Sequence, residues 1–315
     1  MEMSAPSVCV IIPAYNSACF IARTLESALA QDYPNQEVIV VDDGSTDNTR
    51  EVVERFGSRV RYIRQENQGP HIARNRGVVE SRGEFIAFLD SDDEWLPGRL
   101  SKCLQPMIDA PQIGMTWCLT RCKYPDGREE THGAGSEKGR VFPNLFWQPP
   151  AMQTSSTNYR RSVLQDVVTF ERPLRFFEDQ DFYIRVREKT RIACVDEILT
   201  VYHIRAASFS YSRDEEQARE SYFQIIEDAF ARWPDLYEHN RETIMAEAHY
   251  YWALRYFCQD KIRPARGHFV RSFRYKPSGS ALLFALKTFI PFPLLKALRN
   301  IHIRIAHGKS PDRAA

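Results

Sequence analysis

Three unbroken apolar runs, each ending in a polar cluster, constrain this chain more than any other feature. Val8 to Ile12 is followed by PAYN, Glu37 to Val41 by DDGS, and Phe85 to Leu89 by DSDD, with a shorter run at Val60 to Ile63. A strand with one wet face alternates apolar and polar residues, so a run without alternation is a strand buried on both faces. Helical patterns fill the gaps. Ile21, Leu25, Ala28 and Leu29 recur at helical spacing behind Asn16 or Ser17, either of which can cap a helix. Asp47 is expected to cap a second helix, and His71 to Glu80 reads as a third. Pro13 is expected to stop the first strand. Strands alternating with helices imply an α/β fold, a mainly parallel sheet with flanking helices. Ligands of such sheets sit beyond the carboxyl ends of the strands, where the three polar clusters should meet.

The cluster in FIAFLDSDDEWLPGRL places Asp90, Asp92 and Asp93 within four residues. Carboxylates gathered this way repel one another unless a cation is present or the turn is simply solvated, and both readings stay open on these residues alone. Asp90 and Asp92 lie two apart at a strand end and can lean toward the same space, while Asp93 is expected to begin the following turn. Mg²⁺ or Mn²⁺ is commonly held by one or two carboxylates with substrate phosphates completing the shell. No Walker loop and no G-x-G-x-x-G occurs, so phosphate charge would be met by metal and by Arg74 and Arg76 after QGPH.

VCVIIPAYNSACFIARTLESALAQDYPNQEVIVVDDGSTDNT, ENQGPHIARNRGV and GEFIAFLDSDDEWLPGRL together resemble the nucleotide-sugar half of family 2 glycosyltransferases of GT-A fold. A fainter similarity continues through TSSTNYRRSVL and FFEDQDFYIRV to Tyr202 and His203. The resemblance implies a Rossmann-like GT-A domain in which Pro13, Ala14 and Tyr15 line the nucleotide pocket. It puts Asp43 at the base edge with Asp42 beside it, and Asp90 and Asp92 at the metal and diphosphate, with Arg74 on the nucleotide-sugar side. Trp95 and Pro97 would pack beneath the site. Asp179 of Glu178-Asp179-Gln180-Asp181 would be the general base, Glu178 would orient the acceptor, and Asp181 would be structural. His203 would lie near the diphosphate without a defined role. Each has a plainer reading too: Asp42 and Asp43 as a turn and helix-start pair, the 178–181 acids as dipole partners of a helix N-terminus, His203 as a satisfied half-buried histidine.

The segment Ser101 to Ile204 is less regular, with Tyr124 to Arg140 reading as a loop, Gln153 to Tyr159 as β-like, and Pro173 to Glu188 as a loop entering a helix. Trp117 and Trp147 are expected in the core rather than on a sugar. Beyond Asp214 the patterns are helical, and ETIMAEAHYYWALRYFCQDK with IRPARGHFVRSFRYKP resembles one tetratricopeptide-type hairpin, too little for an array. The expected domains are 1–213, divided at about 100 into nucleotide-sugar and acceptor halves, and a helical extension over 214–315.

From Lys261 onward twelve Lys and Arg face Asp312 alone, a segment charge of +11 against a whole-chain charge of +1. That asymmetry points to an anionic membrane surface rather than nucleic acid. Ala281 to Ile303 is apolar but broken by Lys287, Lys296, Arg299 and two prolines. It reads as an interfacial segment, or as a helix packed on the protein's own body, and not as a span. The seven cysteines lack disulfide spacing, and Cys118 and Cys122 read as scattered thiols rather than zinc ligands. With no signal peptide evident in MEMSAPSVCVIIPAYN, a cytoplasmic setting is expected, peripheral on the cytoplasmic face of the membrane.

The resemblance implies an inverting transferase moving a sugar from a nucleoside-diphosphate sugar, a UDP-sugar foremost, to a hydroxyl of a saccharide, glycolipid or lipid-linked acceptor. A polyprenyl-phosphate acceptor would need no strong base, so the acids at 178–181 favour a hydroxyl. A catalytically silent nucleotide-sugar-binding module and a sugar nucleotidyltransferase are the competing readings. Acidic sets at both positions argue against the first. PAYNS, which lacks a glycine-rich basic loop, argues against the second.

Overall fold

The computed structural model describes residues 5–132, 152–166, 177–205 and 215–289. The chain divides into two compact units, Met1–Ile225 and Ile226–Ala315. Nine strands of the first unit form one sheet: β1 Val8–Ala14, β2 Gln36–Asp42, β3 Val60–Arg64, β4 Phe85–Phe88, β5 Glu94–Trp95, β6 Ile113–Lys123, β7 Glu129–His132, β8 Thr157–Arg160 and β9 Arg191–His203. Their order is β3-β2-β1-β4-β8-β6-β9-β5, with β7 added to β6. The β3-β2-β1-β4 portion is parallel, β8 runs antiparallel between β4 and β6, and β6 pairs β9 in parallel. The helices are α1 Ile21–Leu29, α2 Thr49–Glu54, α3 Pro70–Glu80, α4 Arg99–Asp109, α5 Arg161–Asp166, α6 Glu178–Lys189 and α7 Glu215–Arg232, the last crossing into the second unit.

The unbroken apolar runs have the cause expected of them. Val8, Val10, Ile12 and Ala14 of β1 enter a core with Ile21 and Leu25 of α1 and Leu100 and Leu104 of α4. The alternate residues Cys9 and Ile11 enter a second core with Phe88, Tyr159 and Phe182. Both faces of the central strands are therefore dry. On the second face α3 approaches β1 so closely that a Cβ added at Gly77 would lie 2.3 Å from Ile11 Cγ2. Overpacking of this kind typically costs about 1–3 kcal/mol, more than the gain of up to roughly 1 kcal/mol that alanine brings to a helix interior.

Several local expectations are corrected. Pro13 does not stop β1, which continues to Ala14 in register with β2. The Ile11 carbonyl accepts from Leu89 N–H, so Pro13, two residues on, turns its nitrogen toward the same side, where β4 has already ended. A missing donor there interrupts no ladder. Neither Asn16 nor Ser17 caps α1 through its side chain, because both are drawn into contacts between loops. Glu129–His132 is a strand rather than loop, turned back onto β6 at Gly127, whose φ is +84°. Asp47 does accept from Thr49 N–H at the start of α2, and also holds Ala18 N–H.

The second unit is helical: α8 Pro234–Tyr237, α9 Arg241–Cys258, α10 Ile262–Tyr275 and α11 Gly279–Lys287. Trp252 and Tyr256 of α9 and Ala265 and Phe269 of α10 are buried. Phe284 of α11 stacks on Phe269 at 5.4 Å, and Ser278 caps α11 by accepting from Ala281 N–H at 3.2 Å. Among the described residues no helix is long and apolar enough to cross a membrane. Most of Ala281 to Ile303 lies outside the described residues, as does Trp147. Trp117 is buried in the core.

Candidate active site

The loops after β1, β2 and β4 meet at one end of the parallel strands, as the topology requires. Asn16, with φ of +48°, donates its N–H to Ser45 Oγ (2.9 Å) and accepts from Thr46 N–H (2.8 Å). Ser17 and Ser91 share a hydroxyl hydrogen bond of 2.7 Å. These bonds join PAYN to DDGS and DSDD. Tyr15 is exposed between them.

Asp42 and Asp43 are both buried and divide the work. Asp42 accepts from Ser45 N–H at 2.8 Å and from the Tyr62 hydroxyl. Asp43 accepts from Gln65 Nε2, Gln68 N–H and Gly69 N–H at 2.8–3.0 Å, which fixes the QGP turn that launches α3. Gly44 between this pair and the helix has φ of +81°, and a Cβ there would lie 3.0 Å from Asn67 N. Side chains are excluded on both counts.

Arg74, one turn into α3, is buried and contacts Asp90 Oδ1 through Nη2 at 2.5 Å. Arg76 instead pairs with Glu80 on the outer face, so the structure does not bring it to the other candidates. Helical geometry separates residues two apart by about 200°.

The three acids of DSDD take three different environments. Asp90 meets Arg74, while its N–H donates to Ser155 Oγ at 3.0 Å. Asp92 forms an ion pair with Arg205, whose guanidinium also covers the Phe20 ring at 4.1 Å. Asp93 closes the turn by donating its N–H to the Asp90 carbonyl (3.1 Å), and does not begin the next one. Its carboxyl is fully buried, accepting from Ser155 Oγ and from His203 N–H at 3.2 Å. Burial, reinforced by the Asp90 charge, pushes this carboxyl well above the usual carboxylate range.

Trp95 lies beneath the acids, its indole N–H donating to Ser155 O at 2.7 Å and its ring covered by Arg99 at 4.0 Å. His203, at the end of β9, reaches Glu94 Oε1 at 2.6 Å, and Arg23 reaches the same oxygen at 3.1 Å. Burial lowers the His203 pKa against the opposing pull of Glu94. Arg23, Glu94, Ser155 and Arg205 were given no role in the sequence, Asp93 only that of a turn residue, and the fold brings all five to the site. The one legible sign of Arg205 was a cation two residues beyond the β9 strand pattern.

Asp179 stands in the first turn of α6 and is half-buried, with Oδ1 accepting from Gln180 N–H at 2.8 Å. Burial raises its pKa; Gln180 N–H and the Arg74 charge oppose the shift, and the Asp90 charge adds to it. Asp179, Arg74 and Asp90 thus act on one another across three separate elements. Asp181 is buried and paired with Arg185 Nε at 2.8 Å along the same helix. The side chain of Glu178 lies outside the described residues.

Asp90 and Asp92 offer hard oxygen donors next to a cationic side chain, a donor set that suits Mg²⁺ or Mn²⁺ shared with a diphosphate. Among the described residues no group of three or more His, Cys, Asp or Glu converges as a self-sufficient metal cage. Cys118 and Cys122 are buried free thiols.

The model of the family named Glycosyl transferase family 2 matches residues 9–168, half the chain and all three strand-end loops. The chain belongs to this family. It is similar to an uncharacterized glycosyltransferase, alr2836, of Nostoc sp., 31% identical over 218 residues, which are 64% of this chain and 66% of that protein. It also resembles the minor teichoic acid biosynthesis protein GgaA of Bacillus subtilis, 29% identical over 247 residues, 71% of this chain and 55% of that one. The chain therefore spans less than two thirds of the length of these curated relatives. Among solved structures, S. aureus TarS 1–349 in complex with UDP-GlcNAc superposes with a TM-score of 0.64 at 23% identity, covering 93% of this chain and 87% of that one. That likeness establishes the GT-A fold.

Proposed function

We propose that this family 2 chain is an inverting glycosyltransferase moving a sugar from a nucleoside-diphosphate sugar, a UDP-sugar foremost, to a hydroxyl of a polysaccharide, glycolipid or lipid-linked saccharide. One observation carries the reading: at the strand-end loops Arg74 holds Asp90 at 2.5 Å, and Asp179, in the first turn of α6, lies within electrostatic reach of both. In this reading Pro13, Ala14, Tyr15, Asp42 and Asp43 form the nucleotide side of the pocket. Asp43 has already spent lone pairs on the QGP turn, so it serves the base edge through a preset loop as much as by direct contact.

The acceptor hydroxyl approaches Asp179, which takes its proton as the oxygen attacks the anomeric carbon. The bond to the diphosphate oxygen breaks as the new glycosidic bond forms, so an α-linked donor gives a β-glycoside. A positioned base of this kind contributes about 10²–10⁴ in rate. Arg74 neutralises charge on the diphosphate side and keeps Asp179 ionised. Asp90 and Asp92 would hold a divalent ion, which would supply countercharge to the departing nucleoside diphosphate. Arg205, paired with Asp92, stands beside these donors. His203, anchored on Glu94, and Glu178 complete the acceptor side.

The resemblance to a teichoic acid biosynthesis protein supports a cell-surface polymer or its lipid-linked precursor as acceptor. A catalytic domain over 1–213, a helical extension over 214–315, and peripheral association with an anionic membrane through 261–315 belong to the same proposal. The test is a panel of nucleotide sugars screened by thermal shift with Mn²⁺, followed by NMR of the anomeric proton of the product. Bound donor raises apparent stability by mass action. Retention of anomeric configuration, or donor binding without transfer to any saccharide, would reject the mechanism.

A further inference from the structure

The last described helix leaves an apolar face uncovered. Leu282, Leu283 and Leu286 of α11 and Phe289 just beyond it are 44%, 52%, 57% and 61% exposed, whereas Ala281, Ala285 and Thr288 are buried. At the α-helical repeat the four exposed residues fall within an arc of about 120°. The opposite side is anchored by Phe284 on Phe269 and by the Arg266 guanidinium, which donates to the Thr288 carbonyl.

Cations border this arc. Arg266 lies 4.0 Å over the Phe289 ring, and Lys287 lies 4.6 Å over the Phe284 ring. From Lys261 to Phe289 the sequence holds seven Lys and Arg and no acid. That charge decides among occupants. A second copy of this face would bring the same seven cations against the first. Residues 290–315 would add five more Lys and Arg against Asp312. An anionic phospholipid surface supplies the opposite sign and an apolar layer beneath it. At nine residues α11 is far too short to cross a bilayer, so it would lie in the plane of the surface.

We infer that α11 is a membrane-docking helix whose Leu282, Leu283, Leu286 and Phe289 enter the headgroup boundary of an anionic bilayer while Arg266 and Lys287 meet lipid phosphates. This names the residues that hold the proposed transferase at its membrane; it rests on the membrane part of that reading and not on the catalytic part.

The full chain is sedimented, without donor or metal, with vesicles of phosphatidylcholine alone or with about 30 mol% phosphatidylglycerol, a composition that attracts basic segments. The expected result is binding to the anionic vesicles at least roughly tenfold tighter than to the neutral ones, weakened by salt. Leu283→Glu with Leu286→Glu should reduce binding at least about tenfold. Its melting curve should stay unchanged, because both positions are already solvated. Equal binding to both vesicle types, or no binding to either, overturns the inference whatever the variant does. So does a double variant that binds as well as the parent, or one that instead converts a dimer to a monomer by light scattering. Because neither donor nor metal is present, failure of the catalytic mechanism cannot produce any of these results.

Discussion

Replacing Asp179 with asparagine removes a proton acceptor and leaves almost everything else in place. The side chain keeps its shape, and the amide oxygen can still accept from Gln180 N–H, the bond that measures 2.8 Å in the parent. The expected loss in kcat is about 10²–10⁴, equivalent to roughly 3–5 kcal/mol of transition-state stabilisation at about 1.4 kcal/mol per decade. Stability should not fall with it. Burial holds the folded-state pKa of Asp179 above its unfolded value. The folded state therefore binds more protons in the window between the two, and stability declines as pH rises through that window. Asparagine has no such proton, so the variant should melt at or above the parent temperature at pH 7.5. In the parent, log kcat/KM should rise with unit slope on the acid side, with a midpoint above the ordinary carboxylate range. That limb should vanish from the residual activity of the variant. The assay is release of nucleoside diphosphate against pH, paired with calorimetric titration of the donor. Turnover within tenfold of the parent would remove Asp179 from the base role. A loss of rate matched by a loss of donor affinity would assign it to binding instead.

Arg74→Gln should weaken donor binding, because it leaves Asp90 without its 2.5 Å partner, and should move the acid limb of the rate profile to higher pH, since the Arg74 charge opposes the rise in Asp179; an unmoved limb would refute the coupling. EDTA should abolish turnover and Mn²⁺ or Mg²⁺ restore it, while Asp92→Asn should blunt the restoration by roughly tenfold or more; full activity in chelator would refute the two-carboxylate account. Asp93→Asn should gain in melting temperature relative to the parent as pH rises from about 4, near the unfolded aspartate value, toward neutrality. The buried Asp93 is held well above that value and loses folded-state advantage as it is forced to ionise; parallel melting curves across that range would show that Asp93 is not destabilising when charged.

Much of the nucleotide half was legible in the chain because its signals are local. Burial on both faces leaves an apolar run, helix spacing shows amphipathic faces, and DDGS has a glycine where φ must be positive. The errors were local too, and each came from a neighbour that local pattern cannot show. Pro13 stays in β1 because β4 ends beside it. Asn16 and Ser17 abandon α1 for Thr46 and Ser91. Glu129–His132, polar and exposed, becomes a strand only because β6 is there to pair with it.

By itself the sequence determined that the strand-end loops would meet, since parallel strands with both faces covered bring their carboxyl ends to one edge. It set Asp93 apart from Asp90 and Asp92 only as a turn residue, and could not say what each acid would meet. Only the tertiary structure hands Asp90 to Arg74, Asp92 to Arg205, and Asp93 to a buried pocket between Ser155 and His203. The same holds for Asp179, an ordinary helix-start acid in the sequence, which acquires its basicity from burial beside Arg74 and Asp90. Periodicity and turn chemistry are encoded over a few residues. The charge and solvation that set a carboxylate's role come from groups distant in the chain, and only the folded path brings them within range.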